Sequence, residues 1–475
     1  MLNGKKVIGI ITEYNPFHAG HKYMIDRIRD EYHADYIVAA MSGDFVQRGE
    51  PAIFDKYERT TDALKNGVDL VVLIPVMFST SSAEDFAAGG VAVLRSLGFV
   101  DQLVFGSESA DIARLQRMAD LELSDGSSAH ATFNAAIRDG VASGMSYPKA
   151  RAEAMKLILS GDDEDVFEAM LDDIRTPTSF ELKSNDVLGL EYIKAVKRQG
   201  DCFSVACIRR NQSLPSAHSI RDAFLLNEHP DVPKYEGRTM EKDSKPRIST
   251  TEEQGSSTAA VMEPMDGMRG AEHRGYATLD MLSDMLSYRL LQLSYLDHAV
   301  SEQNSVMCEY LDVSREIADA LRKQVRERKT FRERIAAVKS RNYTYSRIAR
   351  ALLHILLDIQ RKDHAALRGA YFGEVEALPY VRVLGVRKEA KELLNAISAT
   401  VVTSPARYQH TLEDFHKKQA IESPEDLILS IRASHAELMF RTDLYAADLY
   451  KQIYRAYETD GDAENEFTRR FLVVD

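Results

Sequence analysis

His18 and His21 stand three residues apart around Gly20 in the stretch ITEYNPFHAGH, directly after a short apolar run. Two imidazoles at that spacing, at the start of a helix, can face one anion. They can donate hydrogen bonds to it and stabilise the extra charge of a pentacoordinate phosphorus. Pro16 stiffens the turn, and Gly20 permits close backbone approach. The free N–H groups and positive dipole end of the following helix add to the attraction for phosphate. Histidines and glycines at helix starts also serve as simple caps and turn residues, so context decides between these readings. No GxxxxGK and no GxGxxG follows the first strand, so neither of these other phosphate grips competes with the HxGH stretch.

The elements around it supply that context. Short β-branched runs recur as KVIGII, DYIVAAM from Asp35, DLVVLIP from Asp69 and QLVFGS from Gln102. Helical segments follow them. Met24, Ile25 and Ile28 form one helical stripe, and Tyr57 to Asn66 stops at Gly67. Continuous apolar strands alternating with helices predict a doubly wound, parallel-sheet α/β fold, whose ligands bind beyond the carboxyl ends of the strands. A further unit follows: the helix LKSNDVLGLEYIKAVKRQG, the strand FSVACIRR, and SAHSIRDAFLL, which Ser216 or Ser219 could cap.

Between about Asn227 and Gly270 the composition shifts to Pro, Ser, Thr, Glu, Lys and Gly, the signature of a linker or mobile insertion. Helical periodicity dominates afterwards, with one strand expected at PYVRVLGV. The expected organisation is an α/β ligand-binding domain over 1–226, a linker over 227–270 and a mainly helical domain over 271–475. No internal repeat is present.

At 475 residues, two or three domains are the natural expectation. No run approaches the ~18 apolar residues of a membrane span, and the N-terminus lacks a small-residue cleavage site, so a cytoplasmic protein is expected. Cys202, Cys207 and Cys308 are too scattered for a disulfide framework or a zinc site. The net charge of -13 argues globally against a nucleic-acid partner. Its distribution argues otherwise, since Arg315 to Arg350 holds twelve Lys or Arg against four Asp or Glu, with tyrosines among them. Such a run is either a solvated helix face or a nucleic-acid contact surface.

HxGH in this setting, with the later SAHSIR, resembles the nucleotidylyltransferase superfamily. The blocks EYNPFHAGH, SGDFVQRGEPAIFDK, VFGSE, SNDVLGLEYIKA, YTYSRIARALLHILL, YVRVLG and ELMFRTDLY, in this order, resemble the tRNA(Met) cytidine acetate ligase family and span most of the chain. The resemblance implies that acetate and ATP form acetyl-adenylate and pyrophosphate. The acetyl group then passes to the wobble cytidine of elongator tRNA(Met), giving N4-acetylcytidine.

The resemblance further implies an ATP-binding segment made of Ile11, Thr12, Glu13, Tyr14, Asn15, Pro16, Phe17, His18, Ala19, Gly20, His21, Lys22, Tyr23 and Met24. His18 and His21 would act on the phosphates, and Gly106, Asn185 and Arg210 would complete the ATP contacts. Arg210 aligns better than Arg209, and Gln47 and Arg48 are secondary candidates. With RNA as the implied partner, Lys329, Arg332, Lys339, Arg341, Arg347 and Arg350 become candidate tRNA contacts. Mg2+ is expected with the triphosphate, although no carboxylate cluster marks a protein-built metal site. Two departures stand out: Ala19 replaces the family's common Asn, and NQSLPSAHSIR replaces a longer Gly- and His-containing loop. Two other functions fit parts of the sequence, an adenylyltransferase acting on a small phosphate ester and a non-catalytic, ATP-regulated RNA-binding protein.

Overall fold

The computed structural model describes residues 2–124, 128–143, 145, 147–159, 182–228, 275–297, 305–340, 343–373, 377–418, 424–454 and 465–475. The expected linker lies outside the described residues, apart from positions 227 and 228, which end a helix. Arg341 also falls outside them.

The expected apolar runs form strands β1 (Val7–Thr12), β2 (Tyr36–Ser42), β5 (Leu70–Ile74), β6 (Gln102–Ser107) and β7 (Ser204–Arg209). Between β2 and β5, the FVQRGEP stretch contains a small antiparallel hairpin, β3 (Phe45–Val46) with β4 (Glu50–Pro51). With β8 (Tyr380–Arg387) and β10 (Leu472–Val474), the main sheet runs in the order β10–β8–β5–β2–β1–β6–β7, and all contacts among β5, β2, β1, β6 and β7 are parallel. The strand order reverses between β1 and β6, which opens a crevice beyond their carboxyl ends.

Both faces of this sheet are covered, as continuous apolar strands require. On β1, Ile8 and Ile10 pack with Ile25 and Ile28 of helix α1 (Ala19–Tyr32). Val7 and Ile11 belong to the opposite layer with Val91 and Leu94 of helix α3 (Ala83–Leu97). Gly9 allows that close approach, because a Cβ there would lie 2.8 Å from Leu94 Cδ1. Helix α2 (Lys56–Lys65) covers the α1 side, and α4 (Ser184–Arg198) lies beside α3. Each fully buried Ile, Leu or Val contributes about 1.5–3 kcal/mol relative to exposure.

The expected strand PYVRVLGV is β8 (Tyr380–Arg387), but its place differs from that of an element in a separate helical unit. It pairs antiparallel with β5 and parallel with β9 (Thr400–Val402) and β10 (Leu472–Val474). The sheet is therefore mixed, its parallel core extended by strands from the C-terminal half. Burial of β8 explains its apolar sequence, since every residue from Tyr380 to Val386 is buried.

The basic segment folds as three short capped helices. Ser314 caps α6 (Arg315–Gln324), Thr330 and Glu333 form a reciprocal capping box on α7 (Phe331–Val338), and Thr344 caps α8 (Tyr345–Leu356). Their apolar residues, including Ile317, Leu321, Ile335, Ile348 and Leu352, join the core layer that also covers the sheet. Helix α5 (Ala217–Glu228) precedes them, and Ser216 rather than Ser219 caps it, its Oγ accepting the Ser219 N–H at 3.2 Å.

Candidate active site

A cleft of about 820 Å³ opens beyond the carboxyl ends of β1, β6 and β7, where the strand order reverses. From the HxGH segment its lining takes Ile11, Thr12, Glu13, Tyr14, Asn15, His18, Gly20, His21, Tyr23 and Met24. Pro16, Phe17, Ala19 and Lys22 stand behind this lining. Phe17 and Tyr14 are buried and pack edge to face, their ring centroids 4.9 Å apart. Tyr14 also stacks edgewise on His21 at 4.8 Å, so the turn fixes the orientation of that imidazole.

The two histidines begin α1 as a capping box. His18 is the N-cap, and its Nδ1 accepts the Gly20 N–H at 3.0 Å. The His21 Nδ1 reaches back to the His18 N–H at 3.3 Å. Each ring therefore uses Nδ1 as an acceptor, which puts the proton of the neutral imidazole on Nε2. The rings stack with centroids 3.8 Å apart. Burial, with Arg210 and Arg221 nearby, holds the pKa of His18 down at about 4. Burial, His18 and Arg210 depress His21 well below its ordinary value. Both rings are thus neutral at physiological pH, each leaving an Nε2–H for the cleft. Gly20 is a steric requirement of this arrangement, since a Cβ there would lie 2.7 Å from His18 Cε1.

Gly106, Asn185 and Arg210 also line the cleft. A Cβ on Gly106 would point between Arg210 Cγ, at 3.4 Å, and Met24 Sδ, at 3.9 Å. Asn185 does not cap α4, whose N-cap is Lys183. Instead its Nδ2 donates to Glu108 Oε1 at 2.5 Å. Glu108 also accepts the backbone N–H of Asn185 and Asp186, each at 3.1 Å. Asp186 answers by accepting from the Ser107 hydroxyl and the N–H groups of Glu108 and Ser109. This reciprocal latch ties the loop after β6 to the start of α4. Of the neighbouring arginines, Arg209 donates to the carbonyls of Glu108 and Ser109. Arg210 makes one long contact to Glu108, 3.4 Å, and its side chain is 41% exposed. Its guanidinium is the more available of the two.

The hairpin and α5 contribute further lining. Gln47, Arg48, Glu50 and Arg221 line the cleft with Glu13. The Gln47 N–H donates to Glu13 Oε1 at 2.8 Å, and its Nε2 donates to the Ser81 carbonyl at 3.3 Å. Arg221 donates to the Asn15 carbonyl at 2.6 Å and lies 3.6 Å from Glu50. Beneath them the fully buried Arg59 donates to the carbonyls of Phe54, Glu13, Ser42 and Gly43, fixing the ends of β1 and β2. Arg221, Glu108 and Glu50 received no role from sequence reasoning, although SAHSIR, VFGSE and FVQRGEP contain them. Ion pairs between distant segments leave no periodic signal.

Of the C-terminal half, Ser346 on α8 lines the cleft. Gly49, at φ 80°, sits against the backbone of that helix, where a Cβ would lie 2.4 Å from the Arg350 nitrogen. Among the residues expected to meet RNA, Lys339 is exposed. Lys329 pairs with Glu327 at 2.7 Å, Arg332 approaches Asp280 at 3.7 Å, and Arg347 lies over the Tyr343 ring at 4.9 Å. Arg350 is buried and donates to Asp312 at 3.0 Å.

The chain has relatives among known proteins. The chain is 30% identical over 459 residues to tRNA(Met) cytidine acetate ligase of Thermoanaerobacter sp. (strain X514), covering 94% of this chain and 96% of that one. It is 31% identical over 464 residues to the protein of that name from Fervidobacterium nodosum, covering 94% and 95%. The crystal structure of Thermotoga maritima TmcAL bound with α-thio ATP superposes with a TM-score of 0.72 at 27% identity, covering 99% of each chain. The apo form of that protein gives 0.71. A match to the HIGH Nucleotidyl Transferase family extends over residues 5–465. With its stacked histidine pair at the sheet's carboxyl edge and this likeness along almost its full length, the chain belongs to the tRNA(Met) cytidine acetate ligase family of HIGH nucleotidyl transferases.

Proposed function

We propose that this protein activates acetate with ATP and transfers the acetyl group to the wobble cytidine of elongator tRNA(Met), giving N4-acetylcytidine. One observation carries the chemical part of this reading. Both imidazoles spend Nδ1 on the first turn of α1 and keep Nε2–H for the cleft, the form needed to donate to a polyphosphate. In the first step an acetate oxygen attacks the α-phosphorus, the bond to the β-phosphate bridging oxygen breaks, and pyrophosphate leaves. His18 and His21 stabilise the charge that develops. The HxGH segment, Gly106, Asn185 and Arg210 hold the nucleotide, with the planar Arg210 fork suited to phosphate oxygens. Among the described residues no three His, Cys, Asp or Glu side chains converge as a metal site. Mg2+ would enter with the triphosphate and supply neutralisation of its charge.

In this reading residues 1–226 carry the ATP chemistry and 271–475 deliver the RNA. Lys329, Arg332, Lys339, Arg341 and Arg347 contact its phosphates, while the buried Arg350 holds α8 through Asp312. No described helix is long and apolar enough to cross a membrane, and a tRNA substrate places the work in the cytoplasm. The test is incubation with ATP, Mg2+, labelled acetate and elongator tRNA(Met), omitting each in turn. Label should enter the tRNA only in the complete mixture. Acetylation without ATP, or adenylylation of a small phosphate ester in place of acetate, would contradict the proposal.

A further inference from the structure

The second half-reaction poses a chemical problem that the histidine pair does not solve. An exocyclic cytosine amine that attacks an acyl carbonyl becomes positively charged and must lose a proton before the product is stable. A positioned base is needed for that transfer. Three carboxylates line the cleft, Glu13, Glu50 and Glu108. Glu108 already accepts from the N–H groups of Asn185 and Asp186, the Asn185 amide and Arg210, which leaves little of it open to a substrate proton. Glu50 is buried, its Oε1 lying 3.6 Å from the Arg221 guanidinium without a hydrogen-bond partner.

Glu13 is neither crowded by hydrogen bonds, as Glu108 is, nor buried in an ion pair, as Glu50 is. One of its oxygens accepts a single hydrogen bond, from the Gln47 N–H at 2.8 Å, and the other has no hydrogen-bond partner among the described residues. The side chain is partly exposed and lines the cleft. The hairpin that holds Glu13 through Gln47 is the one whose Gly49 rests on α8, and Ser346 of α8 lines the same cleft. A base extruded from RNA lying on the basic helices would enter beside Ser346 and meet Glu13.

We infer that Glu13 is the catalytic base of acetyl transfer, accepting the proton from the cytidine N4 amine as that nitrogen attacks the acetyl-adenylate. The N4–carbon bond forms, the bond between the acetyl carbon and the phosphate oxygen breaks, AMP leaves as the anion, and the amine proton passes to the Glu13 carboxylate. This rests on the function proposed above and adds to it a base for the acceptor amine. Burial raises the Glu13 pKa above the ordinary carboxylate value, while the Gln47 N–H, Arg48 and Arg221 oppose the rise and Glu50 reinforces it. A carboxylate so raised is a better base. The other groups facing it are Arg59 below and Tyr192 on α4.

The test bypasses ATP by supplying synthetic acetyl-adenylate with elongator tRNA(Met) and following a single turnover across the acid-to-neutral range. Wild-type transfer should rise with pH as Glu13 loses its proton and then level off. Glu13→Gln, which keeps shape and removes the base, should transfer about a hundredfold or more slowly and lose that rise. Glu13→Asp should be slow but retain the pH-dependent limb. Transfer by Glu13→Gln at the wild-type rate, or with the wild-type pH profile, would overturn the inference alone. Failure of the wild-type protein to acetylate tRNA from supplied adenylate would overturn it together with the proposed function.

Discussion

Gly20 and His18 illustrate how much a motif leaves unsaid. The sequence marks two imidazoles and a glycine at a strand end, but not that the glycine exists for the sake of the first ring. Only the fold places the His18 ring over the Gly20 N–H, where a methyl group would collide with it. Gly20→Ala should therefore displace His18, lose the cap at a cost of about 1 kcal/mol, and slow pyrophosphate exchange by on the order of tenfold to a hundredfold. Thermal unfolding and exchange assays measure the two effects separately. The neutrality of His18 has a further consequence. Its ordinary pKa is 6.5, whereas the folded protein holds it at about 4. Above 6.5 both states are neutral and the contribution of this residue is intact. As pH falls from 6.5 towards 4 the unfolded chain takes up a proton that the native ring refuses, so stability declines by about 3 kcal/mol. The difference in unfolding free energy between wild type and His18→Asn should shift by that amount between neutral pH and pH 4. A constant difference would show that His18 is readily protonated in the fold.

The parallel strands and α1 were legible because burial on both faces forces apolar runs at regular spacing, and α2 ended as expected at Asn66 and Gly67. FVQRGEP was not legible as a hairpin. Its strands are two residues each, too short for an alternation pattern, and its packing partner α8 lies far along the chain. The β8 strand was read correctly as a strand, but its partner could not be read, because PYVRVLGV carries no mark of β5. Gly49 tests the hairpin's role. An alanine there would have to adopt φ 80° and would press on the Arg350 backbone. Gly49→Ala should destabilise the protein by about 2–4 kcal/mol through the left-handed backbone cost and overpacking. Once temperature is lowered to keep the variant folded, tRNA acetylation should suffer more than acetate-dependent pyrophosphate exchange. Equal losses in both would deny the hairpin a special link to the RNA side.

The sheet joins both halves of the molecule. β8 and β10 extend it beyond β5, and Lys56 pairs with Asp44 at 2.6 Å and Glu466 at 2.7 Å. Glu466 also pairs with Arg382, so N-terminal and C-terminal segments meet in one buried charge cluster. Composition alone could not reveal this, since an ion pair between residues 56 and 466 has no local signature. The overall charge of -13 and the basic helices are reconciled by distribution. If those helices hold RNA phosphates, tRNA affinity should fall by on the order of tenfold or more between about 50 and 200 mM salt. A flat filter-binding titration over that range would remove the RNA role of the segment.

The central claim is that the histidine pair drives adenylate formation from acetate, and acetate-dependent exchange of labelled pyrophosphate into ATP, without RNA, tests it most directly. Wild type should exchange only when acetate is present, and His18→Ala and His21→Ala should each be slower by about a hundredfold or more while remaining folded. Exchange at the wild-type rate in both folded variants would contradict the account.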